Sequence, residues 1–486
     1  MRLSMLLEGL EAKILGGKGC ENTEIAALAF DSRQVVVDSL FFCLKGGSAD
    51  GHAFASDALK KGAAALVVER ALDIDLPQVL VEDTRRALSV ISGNFYGNAS
   101  HRLKVIGITG TNGKTTTAHM LAAALDAAGK NVGIIGTLGV KYADKILPSS
   151  LTTPDPVFLQ KTLSDMRING VEYVVMEVSA HALYYRKIAG MRFAACIFTN
   201  FTQDHLDFFK DMGGYKTAKS ALFIEDICPI AILNGDDKVG REFGATRRNT
   251  LYYGLNTPSD AFAIITHERL GGIECIFNIN DELVRASLAF TGRHNVYNAL
   301  AALTCATALG VDIEKAAQGF KALKGVSGRL ERVGRIHGAE VFVDFAHTPD
   351  GLEKSLAALK LHAKGRLICL FGCGGNRDKT KRPLMGMTVA KKCDFAILTS
   401  DNPRFEDPLD ILADIEKGYR RFSTKYVVVP DRAKAIEYAI DLLREGDILL
   451  VAGKGGEYYQ DIMGIKYPFY DNDIIEKIIR KKELLS

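Results

Sequence analysis

The stretch Gly107-Ile-Thr-Gly-Thr-Asn-Gly-Lys-Thr-Thr-Thr117 decides the fold, because it joins two segments of different character. The apolar run at 103–108 leads into it and predicts a buried strand, while the Ala-rich segment at 118–129 predicts a helix. A strand, a Gly-rich turn and a helix that starts near Lys-Thr form a phosphate-binding loop, in which backbone N–H groups and the helix N-terminus face the anion. The strict motif needs Gly at position 108, where this chain has Ile. The loop is therefore a variant that predicts binding of a nucleoside triphosphate.

Composition bounds the number of domains and excludes several classes of function. The 486 residues, 47% of them hydrophobic, suit about three domains that each bury a core. The net charge is +3 without a long basic block, so we predict no nucleic-acid partner. No apolar stretch approaches the ~20 residues of a membrane span, and residues 1–17 lack the apolar core of a signal peptide. We expect a cytoplasmic monomer with no membrane span.

The distribution of the cysteines also favours a cytoplasmic protein. None forms a C-x-x-C pair, which argues against structural zinc, and several lie in apolar, strand-like runs. They are Cys20, Cys43, Cys196, Cys228, Cys275, Cys305, Cys369, Cys373 and Cys393. This scatter predicts reduced thiols in the cores of a cytosolic protein.

Hydrophobic periodicity predicts an α/β chain of three domains. Residues 1–101 mix short strands and helices and end in the linker-like Gly97-Asn-Ala-Ser-His101. Residues 102–330 alternate strand and helix, as in a parallel sheet around the phosphate-binding loop, and end near the Gly-rich hinge Gly325-Val-Ser-Gly328. Residues 331–486 predict a separate Rossmann-like unit. The strands predicted in the second and third regions are 104–109, 132–136, 172–178, 194–199, 230–233, 341–344, 366–371, 394–399, 426–429 and 447–451.

Polar loops follow several of these strands. Leu151-Thr-Thr-Pro-Asp155 carries paired hydroxyls, Glu177-Val-Ser-Ala-His181 a carboxylate, and Asp204-His-Leu-Asp207 two carboxylates around a His. Ligands of open parallel sheets lie beyond the carboxyl ends of the strands, so these groups suit metal ions bound to ATP. For Glu177 a metal ligand is favoured over a satisfied core carboxylate. For His205 the sequence leaves both a metal ligand and a hydrogen-bonded structural role open.

Two further motifs are ambiguous on sequence alone. Asp31-Ser-Arg33 suits either a sugar or diphosphate site, or a simple Asx turn with a surface Arg. Asn295 and Asn298 share one face of a predicted helix and suit either nucleotide binding or packing.

The third region carries the chemistry of an amino-acid site. Its strands lead into Gly372-Cys-Gly-Gly-Asn-Arg-Asp378, Ser400-Asp-Asn-Pro-Arg404 and Ala452-Gly-Lys-Gly-Gly-Glu457. Arg binds carboxylates through its fork, and Asp or Glu binds ammonium. Two Arg and several carboxylates at one sheet edge therefore suit a zwitterionic amino acid.

Together these motifs resemble the Mur ligases, the ATP-dependent amide-forming enzymes of peptidoglycan precursor synthesis. The resemblance runs through most of the chain and is specific. It rests on Asp31-Ser-Arg33, Gly110-Thr-Asn-Gly-Lys-Thr-Thr116, Thr152-Thr-Pro-Asp155, Glu177-Val-Ser179, Asp204-His-Leu-Asp207, His294-Asn295 with Asn298, Gly328-Arg329, Asp344-Phe-Ala-His-Thr-Pro349 and Gly453-Lys-Gly-Gly-Glu457. Asp401-Asn-Pro-Arg404 is similar to the motif of members that add meso-2,6-diaminopimelate. The resemblance implies addition of that amino acid to UDP-N-acetylmuramoyl-L-alanyl-D-glutamate through an acyl phosphate.

The resemblance also implies roles for individual residues in binding ATP and Mg²⁺. Lys114, Glu177, His205 and Lys219 would be catalytic, with Thr115 and Glu177 on one Mg²⁺ and His205 and Lys219 on a second. The family carries a carbamylated lysine at the place of Lys219, and the carbamate supplies an anionic oxygen where an ammonium would repel the metal. The implied nucleotide-binding residues are Gly110, Thr111, Asn112, Gly113, Lys114, Thr115, Thr116, Asn295, Asn298, Arg329 and Asp344.

The two small-molecule substrates are assigned in the same way. Ser32, Thr152, Thr153 and Ser179 fall where the family holds the UDP-sugar peptide. The implied amino-acid pocket comprises Arg377, Asp401, Asn402, Pro403, Arg404, Gly453 and Glu457. The chain departs from the family pattern at Tyr185, which replaces a Gln, at Lys187, which replaces an Arg, and at Gly456, which replaces a His. These changes affect substrate contacts rather than the phosphate loop.

Three rival functions are weaker. A lysine-adding ligase of the same type would leave Arg404 without the distal carboxylate that it suits. A folylpolyglutamate synthase shares the loop style but does not explain Asp401-Asn-Pro-Arg404. A nucleotide-gated binding protein without turnover has little use for an amino-acid pocket.

Overall fold

The structure is a computed structural model that describes residues 1–47, 49–149 and 151–484. Its strands are β1 Lys13–Leu15, β2 Ala27–Ala29, β3 Ser39–Phe42, β4 Ala63–Val68, β5 Gln78–Leu80, β6 Lys104–Thr109, β7 Val132–Gly136, β8 Gly139–Tyr142, β9 Lys145–Leu147, β10 Tyr173–Glu177, β11 Ala195–Phe198, β12 Ala231–Asn234, β13 Thr250–Gly254, β14 Ala261–Arg269, β15 Gly272–Ile279, β16 Glu282–Leu288, β17 Glu331–Ile336, β18 Ala339–Asp344, β19 Leu367–Phe371, β20 Phe395–Leu398, β21 Tyr426–Val428, β22 Ile448–Ala452, β23 Tyr459–Ile462 and β24 Ile465–Pro468.

The helices alternate with these strands through most of the chain. They are α1 Leu3–Leu6, α2 Ala55–Lys60, α3 Thr84–Phe95, α4 Lys114–Ala127, α5 Pro156–Ile168, α6 Ala180–Tyr184, α7 Leu206–Phe209, α8 Met212–Ser220, α9 Lys238–Gly244, α10 Arg293–Ala308, α11 Ile313–Ala322, α12 Pro349–Lys360, α13 Lys381–Lys392, α14 Pro408–Tyr419, α15 Arg432–Asp441 and α16 Asp471–Glu483. Short 3-10 turns lie at Cys20–Asn22, Ser32–Gln34, Gly51–Phe54, Ala99–His101 and Ala221–Phe223.

The chain forms two compact units. The first unit comprises Met1–Gly107, Lys130–Cys196 and Ala218–Pro229, and the second comprises Ile108–Gly129, Ile197–Thr217 and Ile230–Ser486. The predicted domains 1–101, 102–330 and 331–486 stay predictions.

The first unit contains a sheet in the order β1-β5-β4-β3-β2, in which β1 is antiparallel and the other pairs are parallel. Leu3 and Leu6 of α1 and Leu88 of α3 pack on one face of this sheet. Ala55 and Ala58 of α2 pack on the other. Elsewhere in the same unit, β7 pairs in parallel with β10 and antiparallel with β8, which pairs antiparallel with β9.

The second unit contains the phosphate-binding loop and the C-terminal sheet. The parallel strands β12, β13 and β14 continue into the antiparallel strands β15 and β16. The C-terminal sheet has the order β17-β18-β22-β19-β20-β21, parallel except for β17. Leu352 of α12, Met385 of α13 and Ile415 of α14 pack on one face of that sheet. Ile436 of α15 and Ile475 of α16 pack on the other.

The prediction of an α/β fold with parallel-sheet domains is confirmed. β6 and β7 have the predicted bounds, and the other predicted strands agree within about two residues. The nine cysteines are free thiols and seven are buried, as predicted for core positions. In the described part of the chain, no helix is both long enough and apolar enough to cross a bilayer.

Candidate active site

Two glycines shape the loop between β6 and α4. Gly110 and Gly113 have φ angles of +144° and +87°, where residues with side chains are strained. A Cβ at Gly110 would overlap the hydroxyl of Thr199, and one at Gly113 would lie 2.5 Å from Asn298 Oδ1. Both positions therefore require glycine.

The segment after β11 fixes the backbone of this loop. Thr111 N donates to Asn200 O at 2.9 Å, and Asn112 N donates to Asn200 Oδ1 at 3.0 Å. The Thr199 hydroxyl donates to Asn112 O at 2.6 Å. Because its shape is already set by these bonds, the loop loses little conformational freedom on binding an anion.

Lys114 places a positive charge over the loop. Its ammonium donates to Gly110 O at 3.0 Å and to Thr111 O at 2.9 Å. Thr115 and Thr116 are buried in the first turn of α4. A lysine, a left-handed glycine backbone and a helix N-terminus together form a donor set that fits a triphosphate.

Two asparagines of α10 support the loop from behind. Asn298 Oδ1 accepts a hydrogen bond from the Thr117 hydroxyl at 3.2 Å, and Asn298 Nδ2 donates to Asn295 Oδ1 at 3.0 Å. Asn295 Nδ2 donates to Thr291 O at 2.9 Å. Both side chains are buried. They have the packing role that the sequence left open, and their contact with a nucleotide stays a prediction.

Arg329 precedes the first strand of the C-terminal sheet, and Asp344 ends the strand β18 of the same sheet. Arg329 Nη2 donates to the Thr115 hydroxyl at 2.9 Å, and its guanidinium stacks over the Phe345 ring at 4.3 Å. Asp344 accepts hydrogen bonds from Leu330 N and from the Ser355 hydroxyl. Burial raises the pKa of Asp344 although these hydrogen bonds oppose it.

The buried carboxylate of Asp204 lies next to His205 and is the centre of a group of ion pairs. The motif spacing did not reveal these ion pairs. Asp204 is 3.3 Å from His205 Nε2, 3.5 Å from His347 Nε2 and 3.4 Å from Lys381 Nζ. Burial alone would raise the pKa of Asp204, but Lys381 and the two histidines outweigh burial and hold that pKa well below its usual range. This cluster fixes the position of the segment that carries His205.

Several of the residues predicted to bind the amino-acid substrate form one hydrogen-bonded network. Lys454 Nζ, which is fully buried, donates to Asn402 Oδ1 at 3.0 Å and to Glu457 Oε2 at 3.1 Å. Asn402 Nδ2 donates to the same Glu457 oxygen at 2.9 Å. Gly453 lies against the buried Asp401, whose carboxylate a Cβ at Gly453 would approach to 2.5 Å. The structure therefore brings the three loops together, as their position after parallel strands predicted.

Two guanidiniums border this network. Arg404 Nη1 donates to Gly375 O at 2.8 Å, and a Cβ at Gly374 would lie 2.8 Å from Arg404 Nη1 and 3.7 Å from Arg377 Cγ. Burial and, next, the positive charge of Arg404 lower the pKa of Arg377. Pro403 is buried, and its carbonyl leaves no room for a Cβ at Gly375. Two cations this close suit an anionic ligand group.

In the first unit, Glu177 ends β10 as a buried carboxylate that is 1% exposed. Its Oε1 accepts a hydrogen bond from Thr137 N at 2.8 Å, and its Oε2 accepts one from the Thr137 hydroxyl at 3.1 Å. The hydroxyls of Thr137 and Thr152 are 3.1 Å apart. Thr153 Oγ1 donates to Glu177 O and accepts from Ser179 N. The predicted hydroxyl and carboxylate residues 152, 153, 177 and 179 are thus neighbours.

Two of the three residues that depart from the family pattern, Tyr185 and Lys187, have partners in the same unit. Lys187 Nζ is 2.8 Å from Asp155 Oδ1. The guanidinium of Arg85 lies 4.3 Å from the centre of the Tyr185 ring. Neither Arg85 nor Asp155 was predicted as a partner, since sequence spacing gives no sign of these contacts.

Ser32 lies in the Asx turn that the sequence offered as one alternative. Asp31 accepts a hydrogen bond from Arg33 N and pairs with the exposed Arg33 guanidinium at 2.7 Å. The pairing with Arg33 lowers the pKa of Asp31 to about 2. Ser32 is half-buried, and its carbonyl accepts a hydrogen bond from Lys61 at 2.8 Å.

The residues predicted to bind metal are divided between the two units. Glu177 and the buried Lys219 belong to the first unit, and Thr115 and His205 belong to the second. Among the described residues, no three His, Cys, Asp or Glu side chains form a group that could hold a metal ion. Hydroxyl and carboxylate oxygens, as in Thr115 and Glu177, are the donors that Mg²⁺ prefers, whereas Lys219 fits only as its carbamate.

Three family models match successive parts of the chain. They are the Mur ligase family catalytic domain at 24–101, the Mur ligase middle domain at 108–306 and the Mur ligase glutamate ligase domain at 328–455. A UDP-N-acetylmuramoyl-L-alanyl-D-glutamate--2,6-diaminopimelate ligase of Geobacillus thermodenitrificans is 41% identical over 490 residues, which cover 99% of this chain and 100% of that protein. Its namesake in Bacillus cereus is 43% identical over 467 residues, or 94% of this chain and 95% of that protein.

Solved structures of Mur ligases also match nearly the whole chain. One structure of a UDP-N-acetylmuramoyl-L-alanyl-D-glutamate--2,6-diaminopimelate ligase matches with a TM-score of 0.70 and 28% identity over 99% of both chains. MurF of Thermotoga maritima in complex with ADP matches with a TM-score of 0.66 and 22% identity over 96% of this chain and 99% of that one, which shows the fold alone.

With these three models in succession and relatives that match nearly its full length, the chain belongs to the Mur ligase family, whose members are ATP-dependent amide-forming ligases. Within that family it is similar to the UDP-N-acetylmuramoyl-L-alanyl-D-glutamate--2,6-diaminopimelate ligases of the two bacilli.

Proposed function

We propose that the chain joins meso-2,6-diaminopimelate to UDP-N-acetylmuramoyl-L-alanyl-D-glutamate, with cleavage of ATP, as a cytoplasmic monomer in peptidoglycan precursor synthesis. The observation that carries the choice of amino acid is that the side chains of Arg377 and Arg404 lie side by side at Gly374, close enough for the charge of Arg404 to lower the pKa of Arg377. Diaminopimelate has a distal carboxylate that a guanidinium can bind, and lysine lacks it. The names of the curated relatives support the same substrates.

The proposed reaction has two steps. The D-glutamyl carboxylate of the UDP-sugar dipeptide attacks the γ-phosphorus of ATP, and ADP leaves. The amine of diaminopimelate then attacks the acyl carbon, loses a proton and displaces phosphate, so that an amide bond forms. No side chain need act as a nucleophile, because positioning and charge neutralisation supply most of the acceleration.

Lys114 has the central role in the first step. Its ammonium lies at the mouth of the loop, on the carbonyls of Gly110 and Thr111, from where it can turn to the terminal phosphates. Arg329 is a second cation at the start of α4. Together they would offset the negative charge that makes attack of one anion on another slow.

Two Mg²⁺ ions are proposed, one on Thr115 and Glu177 and a second on His205 and carbamylated Lys219, and each would neutralise phosphate charge when bound. The oxygen donors of Thr115 and Glu177 support this choice, because hydroxyl and carboxylate oxygens are the donors that Mg²⁺ prefers. Thr137 orients the Glu177 carboxylate through both of its oxygens.

The UDP-sugar peptide is assigned to Ser32, Thr152, Thr153, Ser179, Tyr185 and Lys187 of the first unit. Hydroxyls and a lysine suit the carboxylates and diphosphate of that substrate. Lys187 can supply a charge but no fork, so we expect its contact to be weaker than that of an arginine.

Two alternatives remain distinct in what they predict. A lysine-adding ligase would release phosphate with lysine in preference to diaminopimelate. A non-catalytic nucleotide-gated binding protein would bind ATP and release no phosphate with either amino acid.

The test measures phosphate release from ATP in the presence of UDP-N-acetylmuramoyl-L-alanyl-D-glutamate and either meso-diaminopimelate or lysine. We expect release with diaminopimelate. Release with neither amino acid would refute the ligase assignment, and a preference for lysine would refute the role of Arg404. Arg404→Ala should raise the KM for diaminopimelate about a hundredfold, because it removes one partner of a buried charge pair. The KM for ATP should stay within about twofold, and equal losses would contradict the assigned role.

A further inference from the structure

The hairpin formed by β23 and β24 is bound to the loop that carries Arg404. Arg404 N donates to Asp461 O at 3.0 Å, and Met463 N donates to Arg404 O at 2.8 Å. These bonds make a parallel bridge between Arg404 and Ile462. The hairpin therefore holds the backbone of Arg404 in place by strand-like hydrogen bonds. It follows the last predicted substrate residue, Glu457, and contains no substrate motif of its own.

Arg404 needs this support because its backbone is strained. Its φ angle is +53°, in the left-handed region that residues with a Cβ seldom occupy. Its side chain is held on two sides, by Gly375 O at 2.8 Å from Nη1 and by Asp461 Oδ2 at 3.8 Å from Nε. Both side chains are largely buried, with exposures of 20% for Arg404 and 18% for Asp461.

One carboxylate oxygen of Asp461 destabilises the folded state. Its Oδ1 is buried and has no hydrogen-bond partner among the residues that the structure describes. An unsatisfied buried carboxylate oxygen destabilises the folded state, and such groups concentrate at functional sites. Since this oxygen is closed to solvent, Asp461 is poorly placed to bind a substrate ammonium directly. Its charge acts instead on the guanidinium beside it.

The negative charge of Asp461 also reduces the repulsion between two arginine side chains of the proposed pocket. Arg377 and Arg404 are close enough for the charge of Arg404 to lower the pKa of Arg377. A carboxylate beside Nε of Arg404 offsets part of that repulsion and, with Nη1 bound to Gly375 O, leaves Nη2 of the guanidinium for a ligand.

We infer that Asp461 is a positioning residue that sets the specificity of the amino-acid pocket. Through the Arg404 guanidinium, it favours an amino acid with a distal carboxylate over one that ends in an ammonium alone. The inference rests on the proposed function, because it assigns the pocket to an amino acid of this kind.

The test compares kcat and KM for meso-diaminopimelate and lysine in the wild type, Asp461→Asn and Asp410→Asn. Asp410 is an exposed carboxylate in the first turn of α14, in the same compact unit, and serves as the control. We expect Asp461→Asn to raise the KM for diaminopimelate about fivefold, with kcat and the values for lysine within about twofold. Asp410→Asn should change neither substrate.

The inference would be overturned if Asp461→Asn left the ratio of the kcat/KM values for the two amino acids unchanged. An equal loss for both amino acids is one such result and would indicate a purely structural role. Asp461→Glu keeps the charge and should keep most of the preference; a Glu variant that is folded by its melting temperature but has lost the preference would also overturn it. A wild type that releases no phosphate with diaminopimelate would refute the proposed function instead, so the two failures are distinguishable.

Discussion

The guanidinium of Arg329 donates a hydrogen bond to the Thr115 hydroxyl at 2.9 Å, although 214 residues separate them in the chain. This contact joins the segment that enters the C-terminal sheet to the first turn of α4.

We predict that Arg329→Ala raises the KM for ATP about tenfold, since it removes a charged donor and its stacking on Phe345 at the phosphate loop. Arg332→Ala is the control, because Arg332 is exposed and pairs with Glu340. Steady-state kinetics with varied ATP measure the effect. Equal KM values in the two variants would contradict a role of Arg329 at the nucleotide.

Gly110→Ala should destabilise the protein by several kcal/mol, because its Cβ would overlap the Thr199 hydroxyl in addition to the strain of a positive φ. Gly129→Ala separates the two effects, since Gly129 has φ +75° and no atom lies within 4 Å of the position that its Cβ would take. It should cost about 1 kcal/mol. Thermal denaturation measures both variants, and a Gly110→Ala protein as stable as Gly129→Ala would show that the loop has room for a side chain beside Thr199.

Lys219→Ala should reduce ligase activity at least about a hundredfold if the residue carries a metal-binding carbamate. Lys216→Ala on the same helix, α8, is the control, because Lys216 is exposed and pairs with Glu242. Carbon-13 NMR after equilibration with labelled bicarbonate should show a carbamate signal in the wild type and in Lys216→Ala. A fully active Lys219→Ala protein, or the same signal in it, would contradict the assignment.

His294 gives a pH dependence of stability. Burial, with the charge of Lys354 adding to it and Asp350 opposing it, lowers the pKa of His294 from 6.5 to about 4. The unfolded chain therefore binds a proton at a higher pH than the folded protein. The contribution of neutral His294 is fully present above pH 6.5 and is lost as the pH falls toward 4.

We expect the melting temperature of the wild type to fall between about pH 7 and pH 5, and to fall less steeply in His294→Gln, which cannot take up the proton. The difference between the two slopes is the quantity to compare. Parallel slopes would mean that His294 titrates normally in the folded protein.

Much of the parallel core was predictable because its signals are local. The strand of residues 104–109 is an apolar run with a Gly-rich turn directly after it, and both of its bounds are confirmed. Asp431 is of a residue type that favours N-caps, and its side chain accepts hydrogen bonds from Ala433 N and Lys434 N at the start of α15. Short-range rules of burial and capping decide such elements.

The antiparallel strands β14, β15 and β16 were missed, although their turns carry signals. Asn280 and Asp281, between β15 and β16, have φ angles of +50° and +69°, as hairpin turns require. The strands themselves alternate buried and exposed residues and lack the continuous apolar runs that revealed the parallel core. A search for period-two patterns around Asn-Asp and Gly-Gly pairs would have found them.

Contacts between distant residues could not be predicted from spacing. The ion pairs of Asp204 with His347 and Lys381 join segments more than a hundred residues apart, as does the hydrogen bond from Asn112 to Asp350 at 2.8 Å. Asp461 lies outside every motif, and only the fold brings it to Arg404. Motifs identify candidate ligand-binding residues, whereas the residues that support them depend on tertiary packing.

The proposed ligase reaction is tested most directly by the mass of the product made when meso-diaminopimelate and lysine compete at equal concentration for the UDP-sugar dipeptide. We predict that mass spectrometry finds the UDP-tripeptide with diaminopimelate in large excess, together with one phosphate released per tripeptide. A product that contains mainly lysine, or no tripeptide while ATP still binds, would contradict the proposed function.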